Sequence, residues 1–128
     1  DGDAMFLEQI VMALRSRQVA KGELVIRRGD IGRELYLIAR GAVEVVDASG
    51  SVVRVLRDGD IFGEVGVLLS RPRNADVRAT KSCDLFVLEK SDFSRILRDH
   101  PQFADAVQAV AAERYRVNVD AQSLMKPR

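Results

Sequence analysis

Tryptophan is absent from this chain, and histidine and cysteine occur once each, as His100 and Cys83. A lone imidazole cannot build the usual histidine-rich metal site. Nor can it supply the base and orienter that a nucleophile at Ser70 or Cys83 would need. Neither a metal nor a catalytic cofactor is therefore expected, and the chain reads as a non-enzyme. A single cysteine excludes an internal disulfide, fits a reducing compartment, and is read as a small hydrophobe near a strand. No apolar run approaches the roughly twenty residues that span a bilayer, and there is no secretory signal, so no direct membrane contact is expected. Charge of one sign is missing too. Twenty Lys and Arg stand against nineteen Asp and Glu, a formal net charge of +1, which argues against coating nucleic acid or an anionic membrane. Any anion binding must be local.

What is present is a chain of 128 residues, long enough to bury roughly two thirds of its unfolded surface in one domain without staples. Residues 4–15 place Met5, Phe6, Ile10, Met12, Ala13 and Leu14 at helical spacing, with Asp3 where an N-cap would stand. The period then changes. Stretches 23–28, 34–40, 42–47, 51–57, 75–80 and 84–89 are short and rich in strand formers, and glycine-bearing turns separate them. Strands at such spacing with no helices between them predict an antiparallel roll, jelly-roll-like, rather than a βαβ fold. Helical spacing returns after Lys90, with Ser91 as N-cap and Phe93, Ile96 and Leu97 on one face. His100-Pro101 closes that helix, and an alanine-rich one is expected from Pro101 to about Gln122, well formed but light enough to serve as a lid. The domain organisation is thus one unit, 1–128: an N-terminal helix over 1–16, a β-roll over 17–90, and C-terminal helices over 91–123.

The chemistry concentrates in residues 62–75, Phe62-Gly63-Glu64-Val65-Gly66 through Arg71-Pro72-Arg73-Asn74-Ala75. Gly63 and Gly66 let the backbone approach a ligand and turn N–H groups toward an anion, while Arg73 offers a planar fork suited to two phosphate oxygens. Glu64 is acceptor-only and needs a donor partner, for which a ribose hydroxyl is the natural choice. Arg73, Ala75, Val77 and Ala79 share a strand face, so a charge leads a row of small apolar residues. That arrangement is costly unless an anion, or a carboxylate such as Glu64 or Asp76, meets the arginine. Arg27, Arg28 and Arg33 read as solvated surface around a turn. Arg114, on the apolar face of the last helix, either snorkels or reaches the ligand.

This segment resembles the phosphate-binding cassette of cyclic-nucleotide-binding domains: Phe-Gly-Glu, a few small or apolar residues, then Arg-Thr/Ser-Ala. The likeness extends over nearly the whole chain. Residues 29–38 and 82–93, with 6–15 and Gln18-Val19, are similar in particular to the cyclic-nucleotide-gated and hyperpolarisation-activated cation channels, including a channel of prokaryotic type.

The resemblance implies an eight-stranded β-roll with one helix before it and two after it. It implies that Arg73 holds the cyclic phosphate, that Glu64 accepts from the ribose 2′-hydroxyl, and that amides of Gly63, Glu64, Val65 and Gly66 complete the cradle. Asn74 and Ala75 follow in the cassette, Phe62 packs, and Arg114 stands where related channels reach the purine. Asn74 occupies a place where many members carry Thr or Ser, the usual partner of the guanine amino group, so cAMP is favoured over cGMP. Gly66 stands where Ala, Ser or Cys is usual, and leaves the cradle amides accessible. The implied ligand is cAMP (or cGMP), and the implied partner is the pore and linker of a tetrameric parent channel, of which this would be a cytoplasmic domain. Asp1 in place of Met fits a piece of such a longer protein. The alternatives are the same module in a soluble kinase or transcription factor, a sugar-binding or catalytic jelly roll, and a degenerate domain that only makes interactions.

Overall fold

The computed structural model of the chain describes residues 2–63, 71–103 and 105. Helix α1 spans Gly2–Ala13 and leads into eight strands: β1 Arg15–Val19, β2 Leu24–Ile26, β3 Glu34–Arg40, β4 Ala42–Val46, β5 Val52–Arg57, β6 Ile61–Phe62, β7 Asp76–Ala79 and β8 Cys83–Glu89. Helix α2, Lys90–Asp99, follows β8 without a break. Residues 101–103 and 105 are again helical, and the remainder of the helix expected from Pro101 lies outside the described residues.

The strands form two four-stranded antiparallel sheets, ordered β1-β8-β3-β6 and β2-β7-β4-β5. Period-two alternation decides what each sheet buries. In β3 it turns Tyr36 and Ile38 inward, in β8 Cys83, Leu85 and Val87, and in β7 Val77 and Ala79, so one core forms between the sheets with Val19, Val43, Leu56 and Phe62. Each fully buried branched residue there contributes about 1.5–3 kcal/mol. Residues of opposite parity, Leu35 and Leu88, face each other in the β3–β8 register. With Phe93 and Leu97 of α2 and Ile10, Ala13 and Leu14 from α1 and its end, they make a second cluster that docks both helices on the roll.

Several local expectations are corrected. Asp3 lies inside the first turn of α1 rather than capping it. Met5 and Met12 are exposed, and Phe6 is the α1 residue that stacks inward, on Phe103 with centroids 4.3 Å apart. Ser91 is not the cap of α2: the helix begins at Lys90, the N-cap residue is Glu89, and its side chain makes no capping bond. The Lys90 N–H donates instead to the carbonyl of Arg33 at 2.8 Å, which ties the start of α2 to the β2–β3 turn. His100 is buried, with Nε2 3.2 Å from Gln9 Oε1 and its ring edge-on to Phe6.

Candidate functional site

Arg73 is placed by its backbone before its side chain acts. Its N–H donates to Asp30 O at 2.7 Å and its carbonyl accepts from Gly29 N–H at 2.8 Å, while Pro72 bridges Ile31. The turn after β2 therefore grips the residue on both sides. Asp76, one of the two carboxylates considered as a partner for Arg73, takes the Arg28 N–H at 2.7 Å. The guanidinium goes to main-chain oxygens: Nη1 donates to Gly63 O at 2.7 Å and Nη2 to Glu34 O at 2.6 Å.

Those two acceptors come from β3 and from the residue after β6, two neighbouring strands of one sheet. Gly63 follows β6 with φ +87°, a conformation that L side chains rarely adopt. A Cβ on it would lie 2.9 Å from Glu34 O and 3.1 Å from Arg73 Nη1, so glycine here serves close approach as well as the turn. Glu34 opens β3. Its carboxylate is held separately, Oε1 accepting from Tyr36 Oη at 2.7 Å and Oε2 from Arg15 Nη2 at 3.0 Å. Tyr36 is 2 % exposed, and its ring stacks on Phe62, the residue before Gly63. Burial, with the hydrogen bond to Glu34 and the charge of Glu34 behind it, pushes the Tyr36 hydroxyl up to about 12. It therefore stays a donor throughout the neutral range.

The result is a closed ring of contacts, from the Arg73 fork to Gly63, Phe62, Tyr36, Glu34 and back to Arg73. Arg73, Tyr36 and Glu34 of that ring line a cavity of about 910 Å³. Among the described residues Val25 and Ile26 give that cavity an apolar side, Arg27, Arg33 and Lys90 a cationic one, and Asp30, Ser91 and Ser94 further polar groups. Its size suits a small organic ligand, and polar or charged side chains make up most of its lining. Arg27 and Arg33, read from the sequence as plain surface, are exposed but belong to this wall. No group of His, Cys, Asp and Glu among the described residues could hold a metal ion. None of the helices described is long and apolar enough to cross a membrane.

Of the site residues expected from the sequence, Gly63 and Arg73 are brought into direct contact, Asn74 is exposed beside them, and Ala75 is half-buried where the chain enters β7. Glu64, Val65, Gly66 and Arg114 lie outside the described residues. Phe62 packs in the core, as the resemblance implied. Sequence reasoning missed Glu34, Tyr36 and Arg15. The usable signal was that residues 34 and 36 share a strand face, and a buried tyrosine hydroxyl needs a partner.

Comparison with known proteins identifies what the chain is similar to. The family model described as the cyclic nucleotide-binding domain matches residues 16–100. A cyclic nucleotide-gated channel of Caenorhabditis elegans is 38 % identical over 108 residues, covering 79 % of this chain and 15 % of the relative. The potassium/sodium hyperpolarization-activated cyclic nucleotide-gated channel 3 of Mus musculus is 35 % identical over 114 residues, covering 89 % of this chain and 14 % of the relative. Among solved structures, the regulatory domain of Toxoplasma gondii PKA in co-crystal with cAMP superimposes with a TM-score of 0.77 at 25 % identity, covering 89 % of this chain and 43 % of that one. The chain thus spans about one seventh of the length of these channel relatives.

Proposed function

The chain belongs to the cyclic nucleotide-binding domain family, and on that premise we propose that it binds a cyclic mononucleotide, cAMP in preference to cGMP, and passes the binding to an attached ion channel. The observation that carries this reading is the Arg73 guanidinium, fixed by Gly63 O and Glu34 O on a cavity wall. A fork held in one plane loses little freedom when it meets a singly charged cyclic phosphate, so its charge-assisted bonds go into affinity rather than ordering.

The remaining roles are those that the family resemblance implies. Amides from Gly63 to Gly66 cradle the phosphate, Glu64 accepts from the ribose 2′-hydroxyl, and Asn74, a carboxamide in place of a hydroxyl, lowers the preference for guanine. Arg114 on the helix after Pro101 meets the purine. A ligand does work only through different affinities for two states of its receptor. The alanine-rich helix closing over the base is the moving part, and a coupling of about 1–3 kcal/mol is enough to bias a gate. In a channel the change passes through α1 to the segment before it, in a tetramer on the cytoplasmic side of the membrane.

Calorimetric titration with cAMP and cGMP, on the wild-type chain and on Arg73→Ala, tests this. Micromolar or tighter binding is expected, stronger for cAMP, with a loss of about 2–5 kcal/mol in the variant. If neither nucleotide binds at micromolar concentration, or if Arg73→Ala binds like wild type, the assignment fails. The likeness to a kinase regulatory domain supports a second reading, a soluble cAMP-sensing regulator. Hydrophobic membrane spans in the parent chain would separate the two.

A further inference from the structure

We propose that Arg15 is a positioning residue for Arg73, acting through Glu34, so that an ion bridge whose two carboxylates line the nucleotide cavity tunes its affinity. This rests on the cyclic-nucleotide reading and deepens it. Glu34 and Glu89 sit directly opposite each other in the β3–β8 ladder, an arrangement of like charges that is destabilising by itself. Arg15 resolves it. Its Nη2 reaches Glu34 Oε2 and Glu89 Oε1, both at 3.0 Å, from the first residue of β1, where the chain has just left α1.

Glu34 thus carries two duties in one residue. Its main-chain oxygen holds the Arg73 fork, and its carboxylate is held by Tyr36 and Arg15. The Tyr36 bond lies inside the ring of contacts that ends at Gly63, whereas the Arg15 bond ties that ring to the helices. Without the Arg15 charge, the two carboxylates face each other without the cation that bridges them. Glu34 then turns away from Glu89, and the oxygen that receives Arg73 Nη2 moves with it. The same bridge ends on Glu89, the N-cap residue of α2, so occupation of the nucleotide site and the seating of that helix act on one another.

Cyclic AMP titrations of the full chain test this with Arg15→Gln, Arg15→Lys, Arg15→Gln/Glu89→Gln, and Arg15→Gln in an Arg73→Lys background. The bridging side chains are a third to a half exposed or more, so Arg15→Gln should raise Kd by about two- to five-fold. Arg15→Lys should stay near wild type. Adding Glu89→Gln should restore the affinity, because it removes the repulsion, and raising the salt concentration should shrink the defect. In the Arg73→Lys background, where the fork is gone, Arg15→Gln should add little, which a merely structural role would not produce. An unchanged Kd for Arg15→Gln overturns the proposal. So does a defect that Glu89→Gln does not restore, or one that adds in full to Arg73→Lys. Where wild type binds and Arg73→Ala weakens it, such results overturn this inference alone; failure of wild type to bind removes both.

Discussion

Tyr36 lies stacked on Phe62, ring centroids 4.9 Å apart and planes 12° from parallel, directly across the β3–β6 pairing. The stack joins the core to the site, since the next residue after Phe62 gives its carbonyl to Arg73 and the Tyr36 hydroxyl reaches the other anchoring residue, Glu34. Phe62→Ala removes one ring of the pair from a position only 4 % exposed. It should cost about 3–5 kcal/mol in urea unfolding. Tyr36→Phe keeps the ring and loses the hydrogen bond, for about 1 kcal/mol.

Gly63 and Gly59 share φ +87°, yet only Gly63 has atoms within contact of a Cβ. Gly59→Ala should therefore show the conformational cost alone, about 1 kcal/mol. Gly63→Ala should show that cost and in addition push the Arg73 fork off Glu34 O. Its nucleotide affinity should fall at least ten-fold while that of Gly59→Ala stays within two-fold, both measured by calorimetry.

The Tyr36 hydroxyl predicts an alkaline limit. Burial and Glu34 push its folded value up to about 12, above a tyrosine's ordinary 10.0, so the folded state holds the proton more tightly than the unfolded chain. The stability it contributes is fully present below about pH 10 and is lost as pH rises from there through 12. Unfolding midpoints across that window should fall in wild type and fall less steeply in Tyr36→Phe. A parallel slope in both would contradict the assignment.

Gly41 makes a sharper case in the core. A Cβ there would lie 2.5 Å from Cys83 Sγ and 2.8 Å from Cys83 Cα, at φ +130°. Gly41→Ala should destabilise the roll by about 3 kcal/mol or more, read by thermal unfolding. The Cys83 thiol, buried and donating to Ala42 O at 3.3 Å, should react with a thiol reagent only as fast as the protein unfolds.

Legibility in the sequence varied with how rich each element is in strand-forming apolar residues. The stretch expected at 34–40 coincides with β3, and those expected at 51–57 and 84–89 differ by a residue from β5 and β8, because β-branched, aromatic and other large apolar residues fill all three, even though Leu56 alone is buried in β5. Residue alternation did not reveal β1, Arg15-Ser16-Arg17-Gln18-Val19, where Val19 alone is buried and pairing with β8 does the work. Nor did it reveal β6, whose two residues are too few to show a period. At the site, Gly63 and Arg73 were legible from residue type and spacing. Glu34 was not, because it anchors Arg73 with a main-chain oxygen, a group that every residue has.

One turn fixes both halves of Arg73: Gly29 and Asp30 take its backbone, and Glu34 takes its side chain. The distance along an arginine from its peptide group to its guanidinium is therefore matched by the short stretch Ile31-Gly32-Arg33. That stretch works as a ruler, which makes its length more constrained than its composition. Substitutions at the exposed Ile31 and Arg33 can be absorbed at the surface, whereas an inserted or deleted residue would put the two grips out of register with a side chain that cannot stretch.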